Sequence, residues 1–291
     1  MKKRNVGYTV LFILPTFIIF TVFIIVPIVL SIYYSMTNWN GLSSPVFVWL
    51  DNYRKLLGDK DYWTVLKNTG TVIGISVIFQ IPIGLTLAFL IFKTRRGAKF
   101  FRSAYFLPVV IAPLAIGVMF TLFLNSELGP INIILAKLGL EFLQRAWLSD
   151  SRTVLYSVMF PMIWQYIGFY VVIYLAAMYS LPEELLESAA IDGANVFQVF
   201  FKIVIPMLWD VIGITVVLCT VGGLKAFEHP YIMTTGGPGV LSSYVGLYVY
   251  KLAFAKNNFG YGSTVGVTVL LIALISTILF RRFVFRPTYE A

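Results

Sequence analysis

The sequence predicts an all-α membrane protein with six transmembrane helices and with both termini in the cytoplasm. Of its 291 residues, 59% are hydrophobic and 12% are charged, whereas soluble domains average about 45–50% and about 25%. Six apolar runs are long enough to cross about 30 Å of hydrocarbon. Lysine and arginine collect at alternate ends of these runs, which indicates their orientation.

The six apolar runs follow one another without a soluble insertion, so we expect one membrane domain over residues 1–291. The basic start MKKRN is similar to that of a signal peptide, but the apolar stretch behind it is too long and lacks a small-residue cleavage site. We therefore expect an uncleaved first helix. The predicted spans are Thr9–Tyr34, Thr69–Phe92, Tyr105–Leu124, Val154–Ser180, Met207–Leu224 and Gly262–Phe280.

The distribution of basic residues predicts which loops lie inside. With the N-terminus in the cytoplasm, the inside segments hold 12 lysines and arginines in 56 positions, and the outside loops hold 10 in 100. The inside segments are 1–8, 93–103, 181–206 and 281–291. The excess of basic residues that gives the net charge of +9 is thus explained by membrane orientation. These residues lie at the ends of apolar runs and form no basic stripe for nucleic acid.

Four acidic residues interrupt the apolar sequence between the fourth and fifth runs. Each of them would cost about 2.5–3.5 kcal/mol at the centre of a bilayer, so residues 181–206 form a cytoplasmic loop. The pair Ser180 and Glu183 fits a capping box that opens a first short helix at Pro182. Gly193 is suited to end that helix in the left-handed conformation, and Asn195 with Gln198 caps a second helix that runs to Pro206.

The first of these short helices has an apolar face of Leu185, Leu186, Ala189 and Ala190, opposite its glutamates. A short helix with small residues on one face is shaped to dock in a groove of another protein. The alternative is an amphipathic helix lying on the membrane. The acids disfavour that alternative, because helices of that kind favour lysine and arginine.

The same loop resembles the cytoplasmic signature of membrane permeases in ATP-binding-cassette importers, which is E-A-A, three residues, G, nine residues and I-x-L-P. The pattern falls on Glu187–Ala189, Gly193, Ile203 and Ile205–Pro206, with Ser188 and Ile205 as mild departures. AIDGA at 190–194 is similar to the sugar-importing branch, as are FFRSAYFLPVVIAPLAIGVMF, NYRKLL, KNT, MTTGGPG, YVYKLAF and FGYGS. The resemblance covers nearly the whole chain.

This resemblance implies a type I importer permease fold, a non-catalytic subunit and a place in a prokaryotic inner (plasma) membrane. It implies a second, non-identical permease, two ATPase subunits that bind ATP and Mg²⁺, and an extracytoplasmic solute-binding protein. This chain itself would need no cofactor or metal and would contact lipid. The residues implied in ATPase coupling are Glu183, Glu184, Glu187, Ser188, Ala189, Ala190, Asp192, Gly193 and Pro206.

Other classes of protein find less support in the sequence. It has no G-x-x-x-x-G-K-[ST], H-E-x-x-H or G-x-S-x-G motif, which disfavours an ATPase or a membrane hydrolase. An ion-coupled secondary transporter remains an alternative, but the span interiors carry only Asp210 as an ionisable group. An importer permease for a non-sugar solute is the other alternative. His229, in an outside loop, is expected to be a surface residue.

Aromatic and amide side chains concentrate in the fourth run, where Trp164, Gln165, Tyr166 and Phe169 could contact a sugar or could simply pack. The resemblance to a maltose-importing relative implies a pathway of Val109, Pro113, Met162, Gln165, Tyr166, Phe169, Gly223 and Ala226. Amides expected at three of these positions are replaced here, so the cargo differs or the chain only lines a passage. Oligosaccharide, monosaccharide and glycerol-phosphate-type cargo all stay open. The segment 228–239 either contacts the binding protein or forms a tight turn.

Overall fold

The computed structural model describes residues 6–94 and 96–284. Among these residues, five helices are long and apolar enough to cross a membrane, and one bent pair of helices adds a sixth span. Each of the six predicted spans therefore has its helix, and the all-α class is confirmed. Part of the orientation signal, namely Lys2, Lys3, Arg4, Arg95 and Arg286, lies outside the described residues.

Helices account for nearly all regular structure in the described part of the chain, which also contains one hairpin of two-residue strands. The helices are α1 (Val6–Phe20), α2 (Val26–Ser35), α3 (Asp51–Gly58), α4 (Lys60–Lys93), α5 (Ala98–Val110), α6 (Pro113–Phe123), α7 (Pro130–Lys137), α8 (Val154–Met178), α9 (Glu183–Ile191), α10 (Val196–Val199), α11 (Ile205–Met207), α12 (Trp209–Lys225), α13 (Glu228–Thr234), α14 (Val245–Tyr250) and α15 (Phe259–Val284). The strands are β1 (Thr37–Asn38) and β2 (Val46–Phe47), which pair antiparallel. Irregular helical turns are Glu141–Leu143 (3₁₀), and Thr21–Ile25, Phe200–Val204 and Lys251–Ala255 (π).

The third predicted span is two helices rather than one straight helix. α5 and α6 meet at an angle of 89°. After α5, Ile111 has ψ 136° and Ala112, the residue before Pro113, has ψ 130°; Pro113 starts α6. Proline has no N–H to continue the ladder of the preceding helix, and it favours an extended residue before it. The break therefore follows from the sequence IAP at 111–113.

Two of the π-helical turns precede a proline by two residues. Val26 donates its N–H to the carbonyl of Thr21 ahead of Pro27, and Ile205 donates to Phe200 ahead of Pro206. A proline ring clashes with the carbonyl four residues before it in a regular α-helix. The wider π turn relieves this clash, so both helical runs continue through their prolines.

Contacts group the chain into two compact units, Met1–Lys60 with Tyr248–Leu271, and Asp61–Leu247 with Ile272–Ala291. The single domain over residues 1–291 stays a prediction.

The first unit is organised by motifs that carry the family resemblance. Asn52 of NYRKLL donates its amide to the carbonyls of Ser35 (3.0 Å) and Thr37 (2.9 Å). Asp59 accepts hydrogen bonds from the hydroxyls of Tyr248 and Tyr261, the latter in FGYGS. Asn52 thus joins α3 to the start of the hairpin, and Asp59, just after α3, joins it to α14 and α15.

The second unit has two buried apolar clusters along α4 and α8. One cluster joins the second halves of α4 and α8 to α9, α12 and the turn before α11, and includes Ala88, Tyr174, Ala189 and Val204. The other joins their first halves to α6 and α13, and includes Val72, Ile116, Val158 and Met233. Because α9 belongs to the loop predicted to be cytoplasmic, the first cluster connects that loop to the membrane-spanning helices.

Candidate functional site

A cavity of about 410 Å³ lies in the second unit, between α4, α8, α12 and the start of α13. Five of the predicted pathway residues line it together: Met162, Tyr166, Phe169, Gly223 and Ala226. They come from two separate parts of the sequence, and the fold brings them to one space. The cavity is within the usual size range of a small-molecule site.

The other three predicted pathway residues are not among the residues that line the cavity. Val109 and Pro113 are half-buried and flank the break between α5 and α6. Gln165 is fully buried, one position before Tyr166 on α8. Trp164 also stays outside the lining and packs at 5.9 Å, between ring centroids, against Phe120.

Gln165 holds the break in the third span. Its amide Nε2 donates to the carbonyl of Ile111 at 2.9 Å and to that of Pro108 at 3.3 Å. Carbonyls at a helix end lack intrahelical partners, and unsatisfied ones in hydrocarbon cost several kcal/mol each. A side chain from α8 thus gives a hydrogen bond to the carbonyl of Ile111, and a second one to that of Pro108, which also accepts from the N–H of Ile111 at 3.3 Å.

A second buried amide, Gln80 of α4, was not singled out from the sequence. Its Nε2 donates to the carbonyl of Ile163 at 3.1 Å, and its Oε1 accepts from Cys219 Sγ at 3.4 Å. Gln80 therefore ties α4 to both α8 and α12 at the cavity wall. The signal in the sequence was a lone amide within an otherwise apolar span, because such residues are costly unless they are paired.

Gly223 allows a close approach of α12 to α4. A Cβ atom at this position would lie 2.4 Å from Cγ1 of Ile73, which is far inside van der Waals contact. An amide side chain, as the family pattern has here, would require Ile73 to move. The glycine is thus part of the helix packing, and it leaves the cavity wall without a polar side chain at this point.

The prediction that His229 is a surface residue is wrong, since only 3% of it is exposed. α12 and α13 together form one candidate membrane span, Trp209–Thr234, so His229 lies within a span rather than in an outside loop. α13 packs against α6 and α8. His229 lines the cavity, and its Nε2 has no hydrogen-bond partner among the described residues.

The segment after α13 forms a tight turn that is closed by its own hydroxyl groups. Thr235, Gly236 and Gly239 have positive φ. Ser242 Oγ donates to the carbonyl of Gly237 at 2.7 Å, and Asn68 of KNT donates to the carbonyl of Leu241 at 2.9 Å. The tight turn expected in 228–239 is confirmed for its glycine-rich part, whereas Glu228–Thr234 forms the helix α13. Contact with a binding protein stays a prediction.

Tyr244 follows this turn and is fully buried in the second unit. Burial raises the pKa of its phenol, because removal from water disfavours the charged form. It stays protonated at neutral pH and packs with the cluster that contains α6 and α13.

The predicted capping box at Ser180 and Glu183 is wrong. The N-cap of α9 is Pro182, which makes no side-chain cap, and Ser180 Oγ donates to the carbonyl of Ala176 instead. Glu183 is consequently the first helical residue rather than the third. At this position its charge still complements the positive end of the helix dipole.

The junction between α9 and α10 forms as the sequence predicts. Gly193 has φ +76° and donates its N–H to the carbonyl of Ala190 at 3.1 Å. Asn195 Oδ1 accepts from the N–H of Gln198 at 2.9 Å, and the Gln198 side chain accepts in return from the N–H of Asn195 at 2.8 Å. The helical run then continues through the π turn to Met207.

One face of α9 packs against the protein and the opposite face is exposed to solvent. Ala189 is buried and Leu186 packs beside it in the cluster with α4 and α8. Glu183, Glu184, Glu187, Ser188, Ala190 and Asp192 are exposed. Of the predicted apolar face, Leu185 and Ala190 therefore remain outside the core. Next to α9 lies a cavity of about 330 Å³ whose lining includes Asp192, Gln198 and Lys202.

We expect Asn195→Ala to loosen the segment after Gly193 by about 1 kcal/mol, the usual cost of removing an N-cap. Hydrogen–deuterium exchange in detergent should become faster in residues 195–204. Asn125→Ala is the matched control, because Asn125 Oδ1 accepts from the N–H groups of Glu127 and Leu128 in a loop predicted to be outside. Unchanged exchange at 195–204 in Asn195→Ala would contradict a stabilising role for the cap.

Comparison with known proteins gives extensive matches. The family model described as "Binding-protein-dependent transport system inner membrane component" matches residues 80–289. The chain is 36% identical over 275 residues to the probable ABC transporter permease protein PH1215 of Pyrococcus horikoshii, covering 94% of each chain. It is 30% identical to AmyD of Thermoanaerobacterium thermosulfurigenes, a probable permease protein of a transport system for starch degradation products, covering 95% of this chain and 93% of AmyD.

The fold also matches a solved structure. A chain of a bacterial ABC transporter involved in the import of the acidic polysaccharide alginate superposes with a TM-score of 0.81. It is 25% identical in sequence, and the match covers 98% of both chains. The helices around the cavity and the loop with α9 are thus part of a shared architecture.

Proposed function

The chain belongs to the family of binding-protein-dependent transport system inner membrane components, and from this premise we propose that it forms, with a second permease, the pathway of a carbohydrate importer. The observation that carries the carbohydrate assignment is the cavity lined by Tyr166, Phe169 and Tyr170. Aromatic faces pack on the C–H edges of sugar rings, and polar groups at the rim bind hydroxyls. The cargo named for AmyD, starch degradation products, supports the same class.

The proposed assembly contains a second, non-identical permease, two ATPase subunits and an extracytoplasmic binding protein. The family description itself names dependence on a binding protein. Large side chains of α1, for example Phe12 and Phe17, are exposed and would face lipid or the second permease. ATP and Mg²⁺ are bound by the ATPase subunits, and this chain performs no catalysis itself.

Coupling to the ATPase is assigned to α9 and to the junction at Gly193. The exposed acids Glu183, Glu184 and Glu187 are free to meet another protein, while Ala189 and Leu186 anchor the helix to α4 and α8. Movement of an ATPase that holds α9 would therefore be transmitted to the helices that line the cavity. ATP binding would draw the coupling helices of the two permeases together and turn the pathway outward.

The decisive experiment is a pull-down of this chain from its native membrane in mild detergent, followed by mass spectrometry. We expect an ATPase with a P-loop and a second six-span permease to co-purify, and we expect the complex to hydrolyse ATP. A chain that purifies alone and transports by itself after reconstitution would overturn the proposal and favour an ion-coupled carrier.

A further inference from the structure

The rim of the cavity carries one positive and one negative side chain. Lys225 is the last residue of α12 and Glu228 is the first residue of α13, so they flank the two residues, Ala226 and Phe227, that separate these helices. Both are exposed and both line the cavity. With His229 counted as neutral, the formal charges of the described lining residues cancel, and no arginine is among them.

A cargo with a carboxylate or a phosphate would need a different lining. Proteins recognise these groups with arginine forks or with a surplus of cations. An unpaired charge that leaves water for a mostly apolar cavity loses its hydration, and no opposite charge or hydrogen bond replaces it. Here the single ammonium group of Lys225 is offset by the Glu228 carboxylate, which would repel an acidic sugar.

The polar groups deeper in the cavity are uncharged hydrogen-bonding groups. His229 is almost fully buried, and its Nε2 has no partner among the described residues. Gln80 presents an amide that already bonds to α8 and α12. Together with the faces of Tyr166, Phe169 and Tyr170, this is the chemistry of a sugar with hydroxyls and no ionised group.

We propose that the cavity takes uncharged carbohydrate and discriminates against sugars that carry a carboxylate or phosphate, with Lys225 and Glu228 as the specificity-determining pair. This inference rests on the proposed function and narrows its cargo. Of the three cargo types left open by the sequence, it excludes the glycerol-phosphate type. It also sets the chain apart from the structurally similar transporter, whose stated cargo is the acidic polysaccharide alginate.

The test measures sugar binding to the purified importer complex without its binding protein, by isothermal titration calorimetry. The probes are neutral trisaccharides of glucose, arabinose and galactose, with trigalacturonate as the acidic counterpart of the galactose trisaccharide. We expect at least one neutral trisaccharide to bind and trigalacturonate to bind more weakly by about tenfold or more. Omitting the binding protein ensures that the preference measured belongs to the membrane subunits.

Three variants connect the preference to this chain. Glu228→Gln leaves a surplus positive charge and should reduce the difference in affinity between neutral and acidic trisaccharides. Lys225→Gln should increase this difference. The double variant Lys225→Gln with Glu228→Gln restores the charge balance and should have the same difference in affinity as the unmodified complex. Both residues are exposed, so these changes leave the packed core intact.

The outcomes separate the inference from the proposed function. The charge-balance inference is overturned if trigalacturonate binds as tightly as the neutral trisaccharides or more tightly. It is also overturned if Glu228→Gln leaves the difference in affinity unchanged. The importer proposal stands in both cases. Binding of no carbohydrate, by a complex that contains its ATPase, overturns the carbohydrate assignment and the inference with it.

Discussion

Replacing Gly193 with proline is expected to abolish carbohydrate uptake while the protein still inserts into the membrane. Gly193 has φ +76°, and proline fixes φ near −65°. The variant also loses the N–H that bonds to Ala190 at 3.1 Å. No atom lies within 4 Å of a Cβ built at this position, so backbone conformation rather than crowding determines the effect. The result would be a coupling helix pointing in a wrong direction.

The measurement compares uptake, ATP hydrolysis and the amount of membrane-inserted protein. Gly193→Ala should give a graded loss, because a left-handed residue with a side chain costs about 1–2 kcal/mol. Glu187→Lys keeps the backbone and alters only the exposed surface of α9, and it should also reduce uptake. Glu141→Lys, an exposed change in a loop predicted to be outside, is its charge-matched control. Normal uptake by well-expressed Gly193→Pro protein would show that α9 does not couple the ATPase to transport.

Gln165→Met is expected to lower the thermal stability of the purified protein and to reduce transport. The variant keeps the length of the side chain but removes the Nε2 donor from the carbonyls of Ile111 and Pro108. A buried acceptor left without its donor costs about 1–3 kcal/mol, and no water reaches it in hydrocarbon. The junction of α5 and α6 would then lose the side chain that fixes its 89° bend.

Thermal unfolding in detergent, followed by intrinsic tryptophan fluorescence, measures the loss. Gln144→Met is the matched control, because the Gln144 amide also donates to a backbone carbonyl, that of Asn132 at 2.8 Å, but in a half-buried loop. Water can replace that donor, so the control should lose less stability. Equal melting temperatures for Gln165→Met and the unmodified protein would contradict a stabilising role for the Gln165 hydrogen bonds to Ile111 and Pro108.

Features that depend on local chemistry were predictable from the sequence. The six spans follow from the length of apolar sequence that a bilayer requires. The left-handed Gly193 and the mutual capping of Asn195 and Gln198 follow from conformational and hydrogen-bonding preferences within four residues. The family signature predicted a coupling role for residues 181–206, and that role stays a prediction.

Features that depend on distant parts of the chain were decided only by the tertiary structure. Gln165 bonds to carbonyls 54 to 57 residues away. Gln80 bonds to carbonyls 82 to 83 residues away and to Cys219, which is 139 residues away. Spacing in the sequence does not indicate such pairs. Gly223 is constrained by Ile73 of another helix. His229 is buried because α13 packs against α6 and α8. Hydropathy reports how long a segment stays in the membrane, but which side chains meet there depends on helix packing, and packing is a property of the whole fold.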